Sequence, residues 1–218
     1  MLRSNLMIAV LAGVAMAAAV GAGFAQTPAA KTLTITDASF GCIRDLKPVR
    51  GYFVGNLLGD TDATVKVASS GSGVYPPGSV VQLVPGEAMV KHAAGYNAAT
   101  KDWEFFELNV TPTGTKIGKR GAADIVNQFG GNCFSCHAKA EAKYDMICEQ
   151  GHGCDPIPVT PVLAKAIQNT DPRCPKVDNL PADQQEALKQ LAAFRAAAAA
   201  RAAAPAAPAA PATPANPQ

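Results

Sequence analysis

Short stretches in which apolar and polar positions alternate recur along this chain. Over residues 32–36 the run Thr-Leu-Thr-Ile-Thr alternates as a first strand would. Arg50-Gly-Tyr-Phe-Val54 predicts a second strand. Between Asn56 and Ala68 the spacing of Leu57, Leu58, Ala63, Val65 and Val67 is shared between strand and helix, with helix preferred. The Tyr75-Pro-Pro-Gly turn leads into the apolar run Ser79-Val-Val-Gln-Leu-Val84, and Glu87 to Val90 answers it across Pro85-Gly86. Trp103-Glu-Phe-Phe-Glu-Leu-Asn-Val110 alternates again, with Phe106, Leu108 and Val110 facing one way and Trp103 and Phe105 the other. An antiparallel sheet of about four or five strands is implied.

After Gly114 the texture changes to helix, over residues 122–129 and, past the Gly130-Gly131 break, from Cys133 to about Cys148. The predicted class is α+β, a mainly antiparallel sheet followed by a C-terminal helical segment that carries Cys133-Phe-Ser-Cys136-His137.

Both ends differ from this middle. A basic start with Arg3, an apolar run from Leu6 to Phe24 and small residues before Gln26 predict a signal peptide over residues 1–25. The alternative is a retained anchor, since about 18 apolar residues nearly span a bilayer. Export places the mature protein in the periplasm. Residues 26–180 form the expected domain, residues 181–204 an Ala-rich helix, and residues 205–218, which repeat Ala-Ala-Pro, a disordered tail. Loss of Arg3 with the leader lowers the formal charge of +2 by one. Nucleic acid is therefore excluded as an expected partner.

Cysteine carries the chemistry. Cys133-x-x-Cys136-His137 has the spacing of a c-type haem attachment site. Thiols at i and i+3 share one helical face and can meet both vinyl groups of a porphyrin, and the adjacent His137 supplies an axial nitrogen to iron. Haem c, one per chain, is the expected cofactor, bound by Cys133 and Cys136 with His137 as metal ligand. A redox dithiol would need a thioredoxin-like context that the pattern lacks. A structural zinc site would need four ligands, to which Cys148, His152 and Cys154 could contribute. Of the six cysteines, Cys42, Cys148, Cys154 and Cys174 remain. They allow three pairings. Chain proximity favours Cys148 with Cys154, and elimination leaves Cys42 with Cys174.

Met89, His92, Met146 and His152 are the candidate sixth ligands. Met146, nine residues after His137 on the same predicted helix, belongs to the proximal side. The preferred expectation is an open or water-bound distal position.

The order of features from Arg50 to Cys148 resembles the cytochrome P-460 family, which includes the cytochromes c′-beta. The resemblance rests on Arg50-Gly-Tyr-Phe-Val54, the Pro-x-Gly-Ser-Val strand, the Trp103 strand, the haem motif and Ala142-Lys-Tyr-Asp-Met146. It implies a mainly antiparallel fold, a homodimer and a five-coordinate haem under a small pocket. The implied partners are a small gas or nitrogen-oxide ligand and a periplasmic redox protein. Members oxidise hydroxylamine or bind nitric oxide. Leu83 stands where the enzyme-type members carry a lysine linked to the haem, which argues against that cross-link. Glu87 matches the segment that supplies a pocket carboxylate, and Arg50 a strand arginine close to the haem. Read without the resemblance, Glu87 is an exposed turn glutamate and Arg50 an arginine paired with an ordinary carboxylate.

Two further readings compete with small-ligand haem chemistry. One is an electron-transfer cytochrome whose sixth ligand is Met89 or His92. The other is an exported, disulfide-stapled binding domain in which the C-x-x-C-H spacing is accidental.

Overall fold

The computed structural model describes residues 32–127, 130–157 and 159–203, without side chains from residue 198 onward. The predicted leader (residues 1–25) and the tail (residues 205–218) lie outside the described residues. By backbone contacts the chain divides after Lys31, and the unit beginning at Thr32 holds the whole described fold.

Six strands form one antiparallel meander in chain order. They are β1 (Lys47–Val49), β2 (Tyr52–Asn56), β3 (Ser79–Gln82), β4 (Glu87–Lys91), β5 (Trp103–Thr111) and β6 (Gly114–Gly121). Helix α1 (Thr61–Ser70) lies between β2 and β3. The single turn α2 (Cys133–His137), α3 (Pro161–Asn169) and α4 (Ala182–Ala203) follow the sheet. The α+β class holds; four of the five stretches named above hold strands, and β1 and β6 are additional.

Strand alternation sorts side chains onto two apolar faces. Tyr52, Val54, Val81, Met89, Trp103 and Phe105 share one face with Ile125, Met146 and Ile147. Val80, Ala88, Val90, Phe106 and Leu108 share the other with Ile35 and Phe40. The pairs Val81↔Met89 and Met89↔Phe105 run directly across neighbouring strands, which keeps the first face continuous. The facing predicted for Trp103 to Val110 is the one observed.

The alternating run over residues 32–36 is not a strand. It lies outside the ladder as irregular chain, with Leu33 and Ile35 packed against the second sheet face. Alternation reports a segment with one face on an apolar surface, and lying over a sheet satisfies that demand without joining its ladder. Arg50 is also not in a strand. Arg50 and Gly51 have φ of 53° and 101° and close the two-residue turn between β1 and β2. Positive φ at both central positions suits the right-handed twist of a tight hairpin.

The helical expectation for residues 122–129 is not met over 122–127, where the chain is irregular apart from a bridge between Val126 and Asn132. Gln128 and Phe129 lie outside the described residues. The helix expected from Cys133 to about Cys148 ends at His137.

Two disulfides, Cys42–Cys174 and Cys148–Cys154, span separations of 132 and 6 residues. The first ties the beginning of the domain to its end, beside the buried Arg173–Asp171 pair. Asp171 also accepts from the Ile43 amide at 2.9 Å. Helix α4 packs on α3, to which an Asn169–Gln184 side-chain bond of 2.9 Å ties it, and its Leu191 is buried. Among the described residues no helix is long and apolar enough to cross a membrane.

Candidate functional site

The residues Cys133 to His137 form one helical turn because Asn132 caps it. The Asn132 side-chain oxygen accepts from the Ser135 amide at 2.8 Å, satisfying one of the free donors of the first turn. The Cys133 amide donates to the Ile125 carbonyl at 2.9 Å and anchors the turn to the chain that leaves β6. The i, i+3 spacing puts both sulfurs on one side of the turn.

Cys133 and Cys136 are the two cysteines outside disulfides. Both line a hollow over the first sheet face together with His137, Leu83 and Glu87. Burial first, then the nearby Glu87 charge, raises the Cys133 thiol to about 11. It is therefore protonated at neutral pH.

His137 Nδ1 lies 2.6 Å from the Met146 carbonyl oxygen. A carbonyl only accepts, so Nδ1 carries the hydrogen and Nε2 keeps the lone pair. Burial lowers the pKa of this imidazole and favours the neutral ring. The Phe105 ring stands beside it, with centroids 5.4 Å apart.

Met146 reaches His137 by a route other than a continuous helix. After α2 the chain folds back, and the Glu141 amide donates to the His152 carbonyl at 2.9 Å. Residues Ala142–Tyr144 make one tight turn, after which Asp145 and Met146 take φ of 49° and 67°. Left-handed backbone at a non-glycine residue costs about 1–3 kcal/mol and persists where its surroundings over-determine it. Here the surroundings are Lys91, Tyr75 and Trp103. Lys91 Nζ lies 2.9 Å from both Asp145 carboxylate oxygens, the Tyr75 amide donates to one of them, and Trp103 Nε1 donates to the Asp145 carbonyl.

The chain matches no family model, no curated protein and no solved structure.

The inner hollow has a volume of about 160 Å³. A neighbouring cleft of about 890 Å³ shares Tyr52, Leu83, Cys148, Ile157 and Val159 in its wall. Alone the hollow is small against the roughly 300–1,000 Å³ of cofactor pockets, while the cleft on the other side of the shared wall is itself of that order. Apolar side chains, including Val81, Leu83, Val84 and Phe105, dominate the wall of the hollow. Two thiols on one turn, an imidazole with its free lone pair on Nε2 and an apolar wall suit a covalently held haem.

Cys148 and Cys154 are joined to each other, which removes them from the zinc set suggested by sequence. No group of three or more metal-binding side chains occurs among the described residues. His152 donates through Nδ1 to the Ile147 carbonyl at 2.7 Å and stacks on Tyr144. His92 contacts Glu104 at 2.7 Å and stacks on Tyr96. Neither histidine lines the hollow, whereas Met89 does.

Arg50 lines the neighbouring cleft and is absent from the wall of the inner hollow. Its Nε donates to Glu149 at 2.8 Å, and its guanidinium lies over Gly71, where a Cβ would come within 2.4 Å. Arg50 is thus paired with the Glu149 carboxylate at the cleft.

Sequence reasoning did not single out Tyr52 or Phe105 as cavity residues, or Lys91 and Asp145 as a pair. Strand period carried a signal for the first two, because Tyr52 and Phe105 fall in alternating runs on one face. Lys91 and Asp145 are separated by 54 residues, and neither local pattern pointed to the other.

Proposed function

We propose that this chain is an exported mono-haem c-type cytochrome with a cytochrome P-460-like site. It binds or oxidises small nitrogen-oxide-type ligands, such as nitric oxide or hydroxylamine, at a five-coordinate haem. One observation carries the reading. Four of the six cysteines are paired, and the two left as thiols sit one helical turn apart beside a histidine on the same hollow. The disulfides are consistent with an oxidising compartment such as the periplasm.

Cys133 and Cys136 would hold haem c through thioether bonds, and His137 would present Nε2 to the iron. The bound group supplies iron for ligand binding and electron transfer. The chain supplies the surroundings. Leu83 and the other apolar side chains keep water away from the wall, and Leu83 offers no amine for a further bond to the haem. Glu87, half-buried on the hollow, can accept a proton as a substrate is oxidised. Electrons would leave to a periplasmic redox partner. Arg50, bound to Glu149 at the cleft, is assigned no contact with the ligand.

A second reading, electron transfer through a six-coordinate haem, is favoured by Met89, which is buried and lines the same hollow. Purified holoprotein distinguishes the two. The proposal expects haem that survives denaturing electrophoresis, a high-spin ferric spectrum and a spectral change on adding nitric oxide. A low-spin ferric spectrum would transfer the protein to the second reading. Complete absence of covalent haem would remove both.

A further inference from the structure

The Met146 carbonyl meets His137 because the residue before it is clamped. Asp145 is 2% exposed and Lys91 is 5% exposed. Lys91 Nζ, held also by the Lys101 carbonyl at 2.6 Å, lies 5.1 Å from the Trp103 ring centroid. Both Asp145 carboxylate oxygens and its backbone carbonyl are engaged by β4, by β5 and by the chain at Tyr75. A buried ion pair adds little net stability over a well-packed apolar replacement, so stability alone does not account for this convergence. Its direct geometric consequence is the left-handed path through Asp145 and Met146 that points the Met146 carbonyl at Nδ1 of His137.

We propose that Lys91 and Asp145 are positioning residues for His137, and that their ion pair sets the donor strength of Nε2 toward the haem iron. This rests on the haem reading above. A strong Nδ1–H···O=C bond leaves more negative charge on the imidazole. Nε2 then becomes a better donor, and the ferric state is favoured. Loosening Asp145 lets the Met146 carbonyl swing away and reverses both effects.

The test uses the full chain, with and without haem, as wild type, Asp145→Asn, Lys91→Met and Phe40→Leu. Phe40, buried against the opposite sheet face and absent from the wall of the hollow, serves as a comparator for lost packing alone. In Asp145→Asn and Lys91→Met the ferrous iron–histidine stretching band moves to lower frequency. The equilibrium constant for reduction rises about three- to ten-fold, where ten-fold corresponds to about 59 mV for one electron. In the haem-free chain, side-chain nitrogen NMR shows His137 changing from the Nδ1–H tautomer to a mixture. Phe40→Leu lowers the melting temperature and leaves band, potential and tautomer unchanged.

Wild-type band, potential and tautomer in folded Asp145→Asn and Lys91→Met would overturn the proposal. Shifts of equal size in Phe40→Leu would also overturn it. If both ion-pair variants fail to fold, Trp103→Phe takes their place, since it removes the donor to the Asp145 carbonyl and should move the same readouts in the same direction. An unmoved set in that variant overturns the proposal. Wild type that never acquires covalent haem defeats the haem reading and the role toward iron, while the tautomer measurement still decides whether the pair aims His137.

Discussion

Met89 stands directly across the β4–β5 ladder from Phe105, whose ring centroid is 5.4 Å from that of His137. The sheet thus brings a thioether into the wall of the hollow that holds the proposed iron ligand. Substituting Met89 by Leu keeps the volume nearly constant and removes the sulfur. Under the five-coordinate reading the ferric spectrum and nitric oxide binding stay as in wild type. Conversion of a low-spin wild-type spectrum to high spin in Met89→Leu would instead make Met89 the sixth ligand.

Glu87 is the carboxylate on the hollow beside Cys133. Glu87→Gln should leave nitric oxide binding nearly intact and lower any hydroxylamine oxidation by about ten-fold or more, since a general base is lost. Steady-state rates and nitric oxide titrations check this. Unchanged turnover would remove Glu87 from proton transfer.

The two disulfides should differ in their contribution to stability. In the chain-entropy model the long Cys42–Cys174 loop contributes about 5 kcal/mol and the short Cys148–Cys154 loop about 2 kcal/mol. Denaturant unfolding of the double Cys→Ala variants reads the difference. Equal losses would mean that the unfolded chain is already constrained.

Asp171 and Arg173 form a buried pair. Burial alone would raise the Asp171 carboxyl. The Arg173 guanidinium and the Ile43 and Arg173 amides outweigh it and hold the carboxyl below its ordinary range. The native form therefore binds this proton less readily than the unfolded chain does. Its contribution is complete above the ordinary value of about 3.9 and fades as pH falls through the lowered native value. Asp171→Asn should cost about 3 kcal/mol at neutral pH and flatten the acid limb of the stability curve. An acid limb identical to wild type would assign that limb to other carboxylates.

Haem attachment should need both thiols of the α2 turn. Cys133→Ala and Cys136→Ala should each strongly reduce haem that survives denaturation, read by haem stain and intact mass. A double variant that still held haem through denaturation would contradict the proposed attachment. Intact wild type should show no lysyl bond to haem, because Leu83 offers no amine.

Local sequence determined what depends on residues within a few positions of each other. The apolar run at Ser79–Gln82 specified a strand, and alternation in Trp103–Thr111 specified a strand and the face of its side chains, because successive residues of a strand point to opposite sides. Alanine content specified α4, since a long run of strong helix formers needs little tertiary help. The spacing of Cys133, Cys136 and His137 put the candidate donors together, and chain proximity anticipated Cys148–Cys154, which left Cys42–Cys174 by elimination. Tertiary structure decided the rest. Residues 32–36 lie over the sheet unpaired because the second apolar face needed cover. Arg50 became a hairpin residue once β1 formed opposite β2. The helix-forming stretch after His137 gave way to a left-handed turn because Lys91, Tyr75 and Trp103, distant in sequence, all bind Asp145. These contacts join segments far apart in the chain, so they outweigh local helix propensity without leaving a mark in any short window of sequence.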